Sequence, residues 1–139
     1  MGQARDVAER YFRFIEQGNI PGALECFARE AEFSSPLGAL PVPDGVRGML
    51  EGYVVGFPDN RFEVKNVVEA GDQVAMEGDW VGTHTGPLPL PTGQSVPATG
   101  RSVRAPFVTM FRVRDGRIAS HRGYLDLAAF LGQLGLGGG

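Results

Sequence analysis

The sequence is poor in cysteine and histidine: one Cys and two His occur among 139 residues. The single thiol, Cys26, cannot form an internal disulfide, and no neighbouring residue supplies a base that would activate it as a nucleophile. Long apolar runs are also missing, and the N-terminal residues lack the apolar core of a signal peptide. We therefore expect a cytoplasmic protein with no membrane partner.

The familiar short motifs of catalysis and cofactor binding are absent too. The chain has no HExxH, CxxC, Walker, GxSxG or GxGxxG pattern in a fitting context, which argues against organic and nucleotide cofactors. A metal site would have to combine His84, His121 and scattered carboxylates such as Asp126, and no spacing among them is diagnostic. We expect neither a metal nor another cofactor.

The composition is that of an ordinary soluble domain, with 42% hydrophobic and 21% charged residues. The net charge of −3 argues against nucleic acid as a partner. The length fits one domain with a core of its own. We assign residues 1–136 to that domain and expect Gly137–Gly139 to form a disordered tail.

Helices are predicted in the first half of the chain. Apolar residues recur at helical spacing over Val7–Ile15, and Gly18 ends this pattern. Asn19 offers a cap for a short second helix that reaches Ala28. A third helix is predicted over Val46–Val55, after a segment rich in proline and glycine.

The second half changes to the alternating pattern of strands. The predicted strands are Arg61–Val68, Gln73–Thr85, Arg101–Arg114 and Arg117–Asp126. A long Pro/Gly loop separates the middle two, and an apolar tail to Leu136 is predicted to be helical. Helices followed by a strand meander predict an α+β fold, in which helices pack on one face of a curved antiparallel sheet.

A bent sheet closed by helices forms a cone, and the mouth of a cone suits a small apolar ligand. For each aromatic residue, packing in the core is the simpler explanation. The predicted substrate-binding wall consists of Tyr11, Phe14, Ile15, Tyr53, Trp80, Phe107, Phe111 and Tyr124.

Asp126 is the leading candidate for catalysis. It ends the last strand among Tyr124, Leu125 and Leu127, where burial would raise a carboxyl pKa and make the group a usable acid or base. The alternative is that Asp126 caps the helix that follows. One residue can serve both purposes.

The two histidines are the remaining catalytic candidates. His84 shares the predicted apolar face of its strand with Trp80, near the end of the sheet. His121 and Asp126 are five residues apart and lie on opposite faces of a regular strand, unless Gly123 marks a bulge.

Several segments together resemble one known family. Residues 82–86 read Gly-Thr-His-Thr-Gly, residues 97–101 read Pro-Ala-Thr-Gly-Arg, and residues 121–126 read His-Arg-Gly-Tyr-Leu-Asp. With Phe111–Ile118 and the Leu-Gly-Gln-Leu-Gly tail at 131–135, they resemble the SnoaL-like polyketide (ester) cyclases over residues 5–136. That resemblance implies the cone fold of nuclear transport factor 2-like proteins.

The resemblance also implies a function. It implies a cofactor-free intramolecular aldol closure of a polyketide ester, with Asp126 as the general acid/base and His84 as a group that orients the substrate. His121 matches the family by position. Cone folds also host hydratases, epoxide hydrolases, isomerases, cofactor-free hydroxylases and non-catalytic binding modules, and these stay open as alternatives.

A second copy of the chain is the expected protein partner. One face of the curved sheet must be covered, and Val108 and Met110 would otherwise form an exposed apolar patch. We expect a homodimer or a higher homo-oligomer.

Overall fold

Three helices lie in the first half of the chain, and a fourth follows the last strand of the main sheet. The computed structural model describes residues 2–89 and 93–136. Its helices are α1 (Gln3–Glu16), α2 (Ile20–Glu25), α3 (Asp44–Gly56) and α4 (Leu127–Gln133). The predicted tail 137–139 lies outside the described residues.

The first helix buries one stripe of its surface, which contains Ala4, Val7, Ala8, Tyr11, Phe12 and Ile15. Its N-terminus is held by a side chain from the sheet. The Glu69 carboxylate accepts hydrogen bonds from the backbone amides of Gly2 and Arg5, at 3.0 Å each. These two bonds satisfy amides that have no partner within the helix and fix α1 across the concave face of the sheet.

The second helix begins as predicted but ends earlier. Asn19 caps it, because its Oδ1 accepts the amide of Gly22 at 3.0 Å. The predicted extension to Ala28 is wrong, since α2 ends at Glu25 and strand β1 starts at Phe27. Phe27 is 4% exposed and stacks edge-on against Tyr11 at 5.1 Å, so tertiary packing overrides the local helical pattern.

The main sheet has six strands in the order β2-β1-β8-β7-β4-β3. The strands are β1 (Phe27–Ser35), β2 (Gly38–Ala39), β3 (Arg61–Ala70), β4 (Gln73–Thr83), β7 (Ser102–Arg114) and β8 (Arg117–Leu125). Adjacent strands in this sheet run antiparallel, except that β1 and β8 pair in parallel. The predicted α+β architecture, with helices on one face of a curved sheet, is confirmed.

Strand β7 shows the predicted alternation. Its buried residues are Val103, Ala105, Phe107, Thr109, Phe111 and Val113. Pairing with β8 places Leu125 opposite Phe107, Gly123 opposite Thr109 and His121 opposite Phe111. His121 therefore shares the concave face of the sheet with these core residues.

The irregularity in β8 does not lie at Gly123. The register shifts between Arg112 and Val113, whose partners are Ser120 and Ile118, so the unpaired residue is Ala119. The stretch from His121 to Leu125 is regular, and odd-numbered residues face inward along it. The five-residue spacing then sends His121 and Asp126 to opposite sides.

The long Pro/Gly connection contains a small hairpin of β5 (Leu88–Pro89) and β6 (Ser95–Val96). It packs on two glycines of α3. A Cβ atom on Gly52 would lie 3.2 Å from Pro89 Cγ, and one on Gly56 would lie 3.4 Å from Leu88 Cδ1. None of the helices in the described part of the chain is both long and apolar enough to cross a bilayer.

Candidate functional site

An apolar cavity of about 100 Å³ lies between helices α1 and α3 and the concave face of the sheet. Its wall consists of Tyr11, Phe12, Ile15, Phe33, Ser35, Pro36, Met49, Leu50, Tyr53, Phe62, Trp80, Phe107, Thr109, His121, Gly123, Tyr124 and Leu125. Only Pro36 and Tyr124 among these are classed as exposed, so the cavity opens beside them.

Most of the residues predicted to bind substrate line this cavity. They are Tyr11, Ile15, Tyr53, Trp80, Phe107 and Tyr124. Phe14 and Phe111 do not line it. Phe111 packs in the core, 6.0 Å from the Tyr11 ring and 5.6 Å from the Phe12 ring. The Phe14 ring lies beside Gly22 of α2.

The sequence analysis missed several wall residues. Phe33, Leu50 and Phe62 come from three separate elements, and no local pattern connects them. Thr109 did carry a signal, because it is the one polar residue on the apolar face of β7. A hydroxyl at such a position, 5% exposed, places a polar group inside a dry space.

His121 is the predicted catalytic residue that lies in the cavity wall. Its ring stacks on Phe33 at 4.1 Å and 11°, and the Tyr11 ring meets it edge-on at 5.8 Å. Nδ1 lies 3.3 Å from the carbonyl oxygen of Ser34. Because a carbonyl can only accept, Nδ1 carries the proton and Nε2 carries the lone pair.

Burial sets the charge of this imidazole. His121 is 7% exposed, and desolvation lowers its pKa from 6.5 to about 4, against the smaller opposing effect of the hydrogen bond to Ser34. The ring is therefore neutral near pH 7. Burial also raises the pKa values of the Tyr11 and Tyr53 hydroxyls, which stay protonated donors.

Gly123 leaves room beside the imidazole. A Cβ atom at this position would lie 3.0 Å from Cε1 of His121. The neighbouring strand places Thr109 directly opposite Gly123. The absence of a side chain therefore keeps open the space between the Thr109 hydroxyl and the His121 ring.

His84 lies away from the cavity. It is fully buried and stacks on Phe57 at 5.2 Å, while its Nδ1 accepts the backbone amide of Thr99 at 3.2 Å. Nε2 then carries the proton, and it has no hydrogen-bond partner among the described residues. His84 thus fastens the far end of the Pro/Gly connection to β4.

Asp126 is exposed at the start of α4. Its Oδ1 accepts the amide of Ala129 at 3.0 Å, and its own amide donates to the carbonyl of Pro106 at 2.9 Å. The side chain does not line the cavity. The expected burial of this carboxylate is wrong, because strand parity directs it outward and the helix cap holds it there.

The described residues contain no group of three or more His, Cys, Asp or Glu side chains placed to hold one metal ion.

Comparison with known proteins assigns the family. A family model for the SnoaL-like domain matches residues 8–121. The chain belongs to the SnoaL-like family. A search of curated proteins finds no match to this SnoaL-like chain.

Solved structures share its fold over nearly the whole length. IdmH of Streptomyces antibioticus, a candidate polyketide cyclase, is 28% identical, with a TM-score of 0.79 over 96% of this SnoaL-like chain and 99% of IdmH. AclR of Streptomyces galilaeus, a candidate hydroxylase, is 22% identical, with a TM-score of 0.81 over 96% and 85% of the two chains.

A third structure has the nuclear transport factor 2-like fold. It is a nuclear transport factor 2-like protein of unknown function from Burkholderia pseudomallei, 18% identical, with a TM-score of 0.77 over 96% of this chain and 98% of that one. The predicted nuclear transport factor 2-like fold and SnoaL-like resemblance are both confirmed.

The depressed pKa of His121 predicts how stability depends on pH. As pH falls below 6.5, the unfolded chain takes up a proton that the folded chain accepts only near pH 4. The contribution of His121 to the free energy of unfolding is therefore largest above pH 6.5 and declines as the pH falls from 6.5 towards 4. Below pH 4 it no longer changes with pH. Between pH 6.5 and 5 we expect a loss of about 1.5 kcal/mol in the free energy of unfolding.

Urea unfolding at several pH values measures this loss. The variant His121→Phe keeps an aromatic ring on Phe33 and lacks the titrating group, so its stability should fall less steeply over the same range. Parallel curves for the two proteins would contradict the assignment.

Proposed function

We propose that this SnoaL-like protein is a cofactor-independent enzyme that moves a proton on a small apolar carbonyl substrate, as a polyketide cyclase does. The observation that supports this most is the neutral His121 imidazole in the wall of an otherwise apolar cavity. A fixed tautomer leaves Nε2 as the acceptor, and Gly123 leaves space for a ligand beside the ring.

The chemistry that suits this site is an intramolecular aldol closure. A C–H bond between two carbonyl groups breaks, and its proton passes to Nε2 of His121. The resulting enolate carbon forms a C–C bond to a second carbonyl carbon, whose oxygen becomes an alkoxide and takes the proton back. Atoms and charge balance, and no oxidant or metal takes part in these steps.

The cavity contributes positioning and a dry environment. By holding the two reacting carbons close together, the cavity lowers the entropic cost of the ring closure. Exclusion of water strengthens each hydrogen bond to the developing oxyanion. Tyr11 and Thr109 contribute hydroxyl-bearing side chains to the wall, and we propose that both hydroxyls donate to the oxyanion. A weak base suffices because a carbon between two carbonyl groups is already acidic.

A small-molecule binding module is the second candidate. It is favoured by Asp126, the residue that the family resemblance nominates for acid/base chemistry, because its carboxylate caps α4 outside the cavity. Saturable turnover of any ligand would exclude this candidate.

Deuterium exchange at the α-carbon of a neutral β-keto ester tests the proton transfer without knowledge of the natural product. The same substitution at both histidines provides a matched pair. His121→Phe should lower the saturable exchange rate by roughly 10²- to 10⁴-fold, the usual contribution of a general base. His84→Phe should leave the rate of the folded protein unchanged, since His84 does not line the cavity. Equal rates for wild type and His121→Phe would refute the role of His121.

Two substitutions at Asp126 separate capping from catalysis. Asn caps helices as well as Asp does, so Asp126→Asn should keep the stability, whereas Asp126→Ala should cost about 1 kcal/mol. We expect Asp126→Asn to exchange deuterium within twofold of the wild-type rate, given its exposed position. A loss of 100-fold or more with unchanged stability would instead assign the acid/base role to this carboxylate.

We also propose that two copies associate through the convex face of the sheet. Val108 and Met110 are half-buried on that face, and Val68 is 60% exposed on it. Ion pairs of Arg104 with Glu63 and Asp79 flank them. A face with an apolar centre and charges of both signs suits contact with its own copy.

Light scattering after size-exclusion chromatography measures the association. Met110→Lys would bury an unpaired charge in the interface and should give a monomer. Val55→Lys is the control, because Val55 is 52% exposed on α3, away from the sheet. A monomeric wild-type protein would contradict the proposal.

A further inference from the structure

The cavity wall carries no formal charge. None of the wall residues that the structure describes is Asp, Glu, Lys or Arg, and the one imidazole among them is neutral near pH 7. A carboxylate or phosphate in this space would lose its hydration without gaining a cationic partner, which is strongly unfavourable. The part of a ligand that enters must therefore be uncharged.

The cavity is also small. Its volume of about 100 Å³ is below that of an engineered apolar cavity of about 150 Å³ in another protein, which holds benzene. One ring therefore fills it after slight adjustment of the wall. A fused multi-ring skeleton exceeds this volume, so we expect only one of its rings to enter.

Two exposed apolar residues lie beside the opening. Tyr124 at the opening is 57% exposed, and Leu37, which follows the wall residue Pro36, is 59% exposed. The Leu37 side chain offers contact to a part of the ligand that stays outside. The cavity wall and the residues beside its opening thus favour the same kind of ligand, which carries no charge on or near the ring that enters the cavity.

Two hydroxyls inside lack partners. Tyr11 is 1% exposed and Thr109 is 5% exposed, and neither hydroxyl forms a hydrogen bond with any described residue. Among the described residues, the buried side-chain atoms that are both shielded from solvent and unpaired are Asn60 Oδ1 and His84 Nε2. The Tyr11 and Thr109 hydroxyls are not among them, although they are unpaired, so they border open space, and both residues line the cavity. An acceptor atom on a ligand would satisfy them.

We propose that the cavity binds the uncharged, single-ring end of a carbonyl compound, and that the Tyr11 hydroxyl donates a hydrogen bond to its carbonyl oxygen. Identifying this ligand with the substrate rests on the proposed function. The binding itself does not, because it can be measured without turnover.

The single tryptophan of the chain provides the readout. Trp80 lines the cavity, and its indole N–H gives one resonance in a nitrogen-15 correlation spectrum. Three probes of similar size are titrated: cyclohexanone, cyclohexanecarboxylate and benzene. 1-Decalone, a two-ring ketone, tests the size limit.

Cyclohexanone should shift the resonance saturably, and cyclohexanecarboxylate should bind at least tenfold more weakly. Tyr11→Phe should weaken cyclohexanone binding about five- to tenfold, the value of one hydrogen bond, and leave benzene binding unchanged. Both other tyrosines, Tyr53 and Tyr124, also line the cavity, so neither provides a control substitution. Benzene is therefore the matched control, because it has no carbonyl oxygen to accept a hydrogen bond from Tyr11.

Equal affinity for the ketone and the carboxylate would overturn the proposal, and so would tight binding of 1-decalone. Tyr11→Phe binding cyclohexanone as well as the wild type would remove Tyr11 from recognition. Normal ketone binding together with absent deuterium exchange would refute the enzymatic function and leave the ligand class intact.

Discussion

The pairing register between β7 and β8 is the constraint on which the site depends. Phe111 lies opposite His121 and Thr109 lies opposite Gly123, so one concave face receives an imidazole, a hydroxyl and a gap beside each other. A shift by one residue would exchange every inward side chain of β8 for an outward one. Arg122 and Tyr124 would then enter the core, and His121 would face solvent. The apolar alternation of β7 makes that exchange very costly, since it fixes which side of the sheet is dry.

The same parity separates the two groups that the sequence suggested as partners. His121 lies inside, under Tyr11 and against Phe33, whereas Asp126 lies outside and holds the first turn of α4. In this chain one residue, Asp126, both follows the last strand and caps the next helix. Its local sequence suits both roles, and only the direction of the side chain distinguishes them. The imidazole is left as the basic group within the cavity.

Much of the fold follows from patterns that are local in sequence. The period-two alternation of β7, the Asn19 cap and the helix before the strand meander are all properties of short segments, and each is found in the structure. The boundary at Phe27 was not predictable in this way, because its aromatic ring is equally apolar in a helix or a strand and the choice is made by packing on Tyr11. The cavity wall is harder still. Phe33, Leu50 and Phe62 approach each other only after the sheet has bent, and His84 has the predicted inward face but lies at the other end of the concave surface.

The hairpin in the Pro/Gly connection has a consequence for how the cavity can change. Leu88 and Pro89 rest on the glycines of α3, and the same helix presents Leu50 and Tyr53 to the cavity from its other side. Residues that do not contact a ligand therefore set the distance between α3 and the concave face of the sheet. Insertions, deletions or bulkier side chains in this connection would lift or lower α3 while every wall residue kept its identity. Relatives with identical linings could thus accommodate molecules of different thickness.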